Sequence, residues 1–230
     1  MSSPIARPEK HWIERRLVNL HHSLSHQRRV AILAETIAAE IRRNFPVGDG
    51  GLGGVDIGCG DMSVAEGISA KEPHVRWTCL DIYPLPESLH GDPRWSKYRQ
   101  FDGATLPLDD QSVDFALFTD VLHHVPDPRR APLLREAARV ARAVIVKDHF
   151  EYGMPSRAIL RAMDFVGNWG YGVSVPERYF DEASFRALVT SARLRVASLR
   201  TGIDLYRHLG PFHAIFRPRW QFIATLLRPA

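Results

Sequence analysis

Val55-Asp56-Ile57-Gly58-Cys59-Gly60-Asp61-Met62 decides the fold: an apolar run ends in an acid and turns at once through two glycines. Such a turn lets backbone approach a ligand closely, with the N–H groups of the following helix aimed at it. A second strand-like run, Val75-Arg76-Trp77-Thr78-Cys79-Leu80, ends in Asp81, at a separation that suits an acid hydrogen-bonding a ribose in a βαβ unit. The pair points to a nucleoside-containing cofactor.

The details separate two cofactor classes. A nicotinamide site follows G-x-G-x-x-G, whose third glycine lets helix and strand pack closely. Here Gly58 and Gly60 are followed by Ser63, so the pyrophosphate version is incomplete. The extra acid, Asp56, suits a ligand with a positively charged amino-acid end. S-adenosylmethionine has that end, a ribose and no phosphate.

Further along stand Phe101-Asp102-Gly103 and the block Val113-Asp114-Phe115-Ala116-Leu117-Phe118-Thr119-Asp120-Val121-Leu122-His123-His124-Val125-Pro126-Asp127-Pro128. With the glycine turn and Asp81, these make the chain resemble a class I S-adenosylmethionine-dependent methyltransferase of the small-molecule type, over roughly residues 50 to 150. The resemblance implies a Rossmann-like α/β fold, a seven-stranded mostly parallel sheet with helices on both faces and the last strand antiparallel. It implies cofactor contacts at Asp56, Gly58, Cys59, Gly60, Asp81, Ile82, Asp102, Gly103 and Thr119. Asp102 would meet the adenine amine, where its position alone also allows an ordinary Asx turn. One departure is Met62, where the family usually has a third small residue.

Val113 to Thr119 is nearly all apolar, as a central parallel strand covered on both faces should be. His123 and His124 follow its C-terminal end, where open α/β sheets place ligands. Asp148 and His149 end the next apolar run. A neutral imidazole there could take a proton from a phenol or hydroxyl, so His123, His124 and His149 are the candidate bases. The alternative for the first two is turn capping toward Asp127 and packing in the cleft wall. Lys147 reads as a surface or hinge lysine.

Around this core, Ile13, Leu17, Leu20 and Leu24 make one helical stripe, and Val30, Leu33, Ile37 and Ile41 another before Asn44-Phe45-Pro46. Two helices are expected, forming a cap over residues 1–46 ahead of a core at 47–230. His11, His21, His22 and His26 lack a nearby Cys, Asp or Glu to complete a ligand set, so no metal is expected. Pro84, Pro86 and Pro93 forbid a regular helix over 82–94. Further helices are expected over 62–70, 128–142 and 181–192, and strands over 98–101, 195–206 and 219–227. Residues 150–178 mix Phe150, Tyr152, Met154, Met163, Phe165, Trp169 and Tyr171 with glycines, around a helical middle at 156–166. A lid over an apolar small molecule fits this mixture, and so does packing on the core or a second subunit.

Composition bounds the rest. The 230 residues, 45% hydrophobic and 24% charged, suffice for one well-packed domain. No apolar run approaches the roughly 20 residues of a membrane span, and the N-terminus has no apolar signal core, so a cytoplasmic enzyme is expected. Net charge is +4, with a pI near 9.3, but arginines are scattered rather than gathered into a stripe, so no nucleic-acid partner is expected. Cys59 and Cys79 read as small apolar residues. The expected activity is methyl transfer to an O, N or C atom of a small metabolite. The alternatives are an RNA or protein methyltransferase, an NAD-dependent reductase and a non-catalytic cofactor-binding protein.

Overall fold

The computed structural model describes the backbone of residues 12–46, 48, 50–85, 87–167, 175–207 and 215–229, and their side chains from residue 27 onward apart from 166 and 167. Trp169 and Tyr171 of the expected lid therefore lie outside the described residues, as do the side chains of His11, His21, His22 and His26.

In chain order the elements are α1 (Trp12–Asn44), β1 (Leu52–Ile57), α2 (Ser63–Ser69), β2 (Val75–Asp81), β3 (Tyr98–Gln100), β4 (Val113–Thr119), α3 (Asp127–Val140), β5 (Ala141–His149), α4 (Met154–Gly167), α5 (Glu182–Ser191), β6 (Arg195–Thr201) and β7 (Gln221–Leu227). The strands form one sheet in the order β3-β2-β1-β4-β5-β7-β6. β3, β2, β1, β4 and β5 pair in parallel, while β7 inserts antiparallel to both β5 and β6. This is the expected doubly covered sheet, with its last strand antiparallel.

The period of two along a strand divides the core. Val55, Ile57, Ala116, Phe118, Val144 and Val146 pack on one face with Leu134 and Ala137 of α3 and Phe185 of α5. Phe115, Leu117 and Ile145 point the other way, against Ala34, Ile37, Ala38 and Ile41 of α1. Both faces of β4 and β5 are dry, so any polar group on these strands needs a partner.

The N-terminal stripes form one helix of 33 residues rather than two. Nothing between Leu24 and Val30 breaks a helix, since neither proline nor glycine falls there. Its C-terminal part belongs to the sheet core. There Glu40, fully buried, accepts hydrogen bonds from Ser198 Oγ, Thr225 Oγ1 and Arg200 Nη2, each at 2.8 Å. A side chain at Gly67 of α2 would put its Cβ 2.9 Å from that of Ala34, so this glycine lets the two helices meet.

Three boundaries differ from the sequence reading for local reasons. α3 stops at Val140 and β5 starts at Ala141, because Gln111 Nε2 donates to the carbonyls of Ala138, Arg139 and Ala141 at 3.2, 2.9 and 3.0 Å and takes the place of a C-terminal turn. β6 ends at Thr201, where Gly202 takes φ 85°. β7 begins only at Gln221, because Pro218–Trp220 is a 3-10 turn. As expected, the described residues of 82–94 carry only short 3-10 turns, and Asp181 caps α5 through a reciprocal pair with Ser184.

Candidate active site

The glycine turn leaves β1 with Gly58 at φ 77°, Gly60 at φ 56° and Met62 at φ 64°. A Cβ on Gly58 would lie 2.6 Å from Val121 Cγ2, so only glycine fits where this turn passes the loop that follows β4. Asp81 ties the turn down: its Oδ2 accepts from Gly60 N at 2.8 Å and its Oδ1 from Tyr83 N at 3.2 Å. Each carboxylate oxygen keeps a second lone pair for a ligand. Met62 is fully buried against Cys59, Ala65, Cys79 and Trp95, so its bulk lies under the turn. The two cysteines are free and buried, and their mutual contact, together with burial, pushes the Cys59 thiol well above its ordinary range.

Two polar groups here await a partner. Asp56 is 2% exposed, and no hydrogen bond reaches its carboxylate from the described residues. Burial, then the charges of Asp81 and Asp61, push its carboxyl up to about 7. Thr119 Oγ1, at the end of β4, is buried without a hydrogen bond among the described residues. Across β2, the turn at Asp102-Gly103 touches Ile82, whose Cγ2 lies 3.1 Å from where a Gly103 Cβ would stand. Asp102 Oδ1 accepts from Ala104 N at 2.8 Å and Thr105 N at 2.7 Å, and these bonds hold its carboxyl below the usual range. The Asx turn considered at this position is thus formed.

Beyond Val121 lies a second, more highly charged layer. Asp120 sits at φ 56°, a left-handed conformation that aspartate tolerates better than most residues. Its carboxylate meets Lys147 Nζ at 2.5 Å and Arg29 Nη2 at 2.6 Å. Lys147 is completely buried, with Gln221 Oε1 at 2.6 Å as its other partner. It is therefore no surface or hinge lysine. A cation on an inner strand of a doubly covered sheet must bring its counter-ion inside, and Asp120 is that ion. Burial raises the cost of ionising Asp120, but Lys147, His149 and Arg29 outweigh it and hold the carboxyl far below the usual range.

The three candidate histidines differ sharply in environment. His123 is buried with Nδ1 2.5 Å from Asp148 Oδ1 and Nε2 3.3 Å from Asp164 Oδ2. Burial opposes its charge, yet Asp148 and Asp164 prevail and push it up to about 10. His149, equally buried, is lowered by burial and by Lys147. His124 is half-buried, its ring 4.0 Å from that of His123. The Tyr179 hydroxyl hydrogen-bonds Asp164, which fastens α4 to this layer.

All the expected site residues fall at the C-terminal ends of β1, β2, β3, β4 and β5. Sequence reading missed Arg29, Asp120, Asp164 and Tyr179 as members. Asp120 and Lys147 carried a usable signal, a charge at or in a run that must be dry. Arg29 and Asp164 carried none, because only the folded chain brings them there.

Residues 55–143 match the family described as methyltransferase domain. No curated protein sequence matches the chain. Among solved structures, the chain resembles one from the complex of the Haloferax volcanii Trm112 methyltransferase activator, with TM-score 0.62 and 19% identity over 88% of this chain and 90% of that one. It also resembles magnesium protoporphyrin IX methyltransferase from Synechocystis PCC 6803 with bound SAH, at TM-score 0.57 and 15% identity over 96% and 89%. Mitomycin 7-O-methyltransferase gives TM-score 0.56 and 22% identity over 86% and 54%. At such identities the likeness speaks for the fold, and the family match for the segment that carries the glycine turn and the β4 block. Over that segment the chain matches a methyltransferase domain, and S-adenosylmethionine is the cofactor this match indicates.

Proposed function

We propose that the chain transfers a methyl group from S-adenosylmethionine to an oxygen, nitrogen or carbon atom of a small metabolite in the cytoplasm. In this reading 47–230 is the catalytic core, 1–46 a helical cap whose last turns also pack into that core, and 150–178 a lid over the acceptor. The observation that carries it is the contact of Gly58 with Val121, one residue before the Leu122–His124 turn. It brings the glycine turn beside the histidine and carboxylate layer.

The residues fit the cofactor. Asp56 is a buried carboxylate awaiting a cation, Thr119 a buried hydroxyl awaiting a partner, and Gly58 leaves space that any Cβ would fill. Asp56 and the backbone of Gly58, Cys59 and Gly60 would hold the amino-acid end, Asp81 the ribose hydroxyls, and Asp102 the adenine amine between Ile82 and Gly103. When bound, S-adenosylmethionine supplies the sulfonium methyl. The chain's own work is orientation, which can remove much of the barrier to a two-body displacement. A hydroxyl acceptor must also shed its proton as the new O–C bond forms and the S–C bond breaks. His123, His124 and His149 are the groups near enough to the strand ends to assist.

Support for a small, partly apolar acceptor comes from Tyr152, Met154 and Phe165, which remain 47, 77 and 54% exposed around α4. Phe150 is different: it stacks on Phe222 at 4.0 Å in the sheet core and is no part of a lid. Two structural neighbours are named for small-molecule substrates, mitomycin and magnesium protoporphyrin IX. Among the described residues, no helix is long and apolar enough to cross a membrane. The test is to incubate the chain with methyl-labelled S-adenosylmethionine and fractionated cell extract. Label in the low-molecular-weight fraction supports the reading; label confined to RNA or protein overturns it.

A further inference from the structure

Three side chains from two distant parts of the sequence converge at the mouth of the charged layer: His123 and His124 from the turn after β4, and Asp164 from α4. One donor atom from each lies within 4.8 Å of the other two. His123 is 2% exposed, and its Nε2 makes no hydrogen bond among the described residues, although Asp164 Oδ2 is only 3.3 Å away.

The spacing itself has a meaning. Two donors at about 2.1 Å from one ion stand about 3.0 Å apart at an octahedral angle and about 3.4 Å apart at a tetrahedral one. The His123–Asp164 separation falls inside that interval. The other ring nitrogen is already engaged: Nδ1 lies 2.5 Å from Asp148 Oδ1, and a carboxylate can only accept there. An ion at this point would displace the Nε2 proton, leaving the other on Nδ1 toward Asp148 and the Nε2 lone pair toward Asp164. A carboxylate behind a histidine is the usual outer support of a metal ligand. Asp164 has its own support in the Tyr179 hydroxyl. His124 and Asp164 are half-buried, so the site is open on one side. The neighbouring trio of His123, Asp148 and His149 lacks this geometry, because its His123–Asp148 edge of 2.5 Å is too short for two donors on one ion.

We propose that His123 Nε2, His124 and Asp164 form a binding site for a divalent first-row transition metal ion, with Asp148 and Tyr179 as positioning residues and an open coordination position toward the acceptor cleft. Two nitrogens and one carboxylate suit zinc, ferrous iron, cobalt or manganese better than calcium or magnesium. This revises the expectation of a metal-free chain. Only the ion's role rests on the methyl-transfer reading: an acceptor hydroxyl bound at the open position would release its proton to solvent, and its oxygen would then form the bond to the methyl carbon as the S–C bond breaks.

The test titrates the metal-free full chain with Co²⁺, following visible absorption, then adds Zn²⁺ as competitor. One equivalent of Co²⁺ should give a ligand-field band that Zn²⁺ removes. Because His123→Ala risks unfolding the core, His124→Ala and Asp164→Asn carry the comparison, with melting temperature as the control. Each should weaken Co²⁺ binding at least 10-fold, and Asp148→Asn should weaken it about 10- to 100-fold through His123. S-adenosylhomocysteine binding by Asp164→Asn should stay within about 2-fold of the parent. No band, or equal affinity in folded His124→Ala and Asp164→Asn, overturns the site. Cobalt binding without S-adenosylhomocysteine binding would leave the site standing and remove the methyl-transfer reading instead.

Discussion

Asp56 offers a prediction in which stability and binding move in opposite directions. Its carboxyl is raised from 3.8 to about 7, by burial first and then by Asp81 and Asp61. A shift of about 3 units corresponds to about 4 kcal/mol. Because the folded value lies above the unfolded one, this contribution is fully present below about pH 4 and is lost as pH rises through about 7. An amide in place of this carboxyl would not titrate. Urea unfolding of Asp56→Asn and its parent, without cofactor, should therefore diverge with pH: the variant gains up to about 4 kcal/mol on the parent between pH 4 and 8. Binding reverses the order. A cationic amino group beside Asp56 favours the carboxylate, so parent affinity for S-adenosylhomocysteine should fall as pH drops below 7, approaching 10-fold per unit. Calorimetry in buffers of different ionisation heat should show a proton released on binding near pH 6. Asp56→Asn should bind more weakly at pH 8 and show no such release. A stability difference that is constant from pH 4 to 8, or undiminished binding by the variant at pH 8, would refute the assignment.

Two further substitutions test the frame of the site. Gly58→Ala should destabilise by about 1–2 kcal/mol from its left-handed backbone and about 1–3 kcal/mol from the contact with Val121. Adding Val121→Ala should recover only the second part, and full recovery in urea unfolding would show that backbone strain is unimportant. Asp120→Asn leaves Lys147 buried with Arg29 close by and no carboxylate between them. The chain should lose about 3–5 kcal/mol at neutral pH, and a loss under 1 kcal/mol would mean that the cations find water.

The fold was legible where local physics acts alone. The apolar run at 113–119, the turn at Gly58 and Gly60, and the prolines of 82–94 name their own structures. Helix continuity was not: Ile13–Leu24 and Val30–Ile41 read as separate stripes, because the polar stretch Ser25 to Arg29 resembles a break although nothing in it forbids a helix. The cofactor half of the site lies within one segment and follows a spacing rule. The charged layer does not. Asp148 could be placed at a strand end from sequence, but its partner His123 lies 25 residues away, and Arg29 meets Asp120 across 91 residues. Such pairs follow from strand order. Lys147 was misread because a charge was assigned to the surface by type, when its neighbours Val144, Ile145 and Val146 already marked a strand buried on both faces.

Calorimetry with S-adenosylhomocysteine decides whether the glycine turn and Asp81 form an S-adenosylmethionine site. One site per chain with micromolar affinity, about 8 kcal/mol, is expected, weakened at least 10-fold by Asp81→Ala, with NADH not binding. Tight NADH binding without S-adenosylhomocysteine binding, or an Asp81→Ala variant that binds as well as the parent, would contradict it.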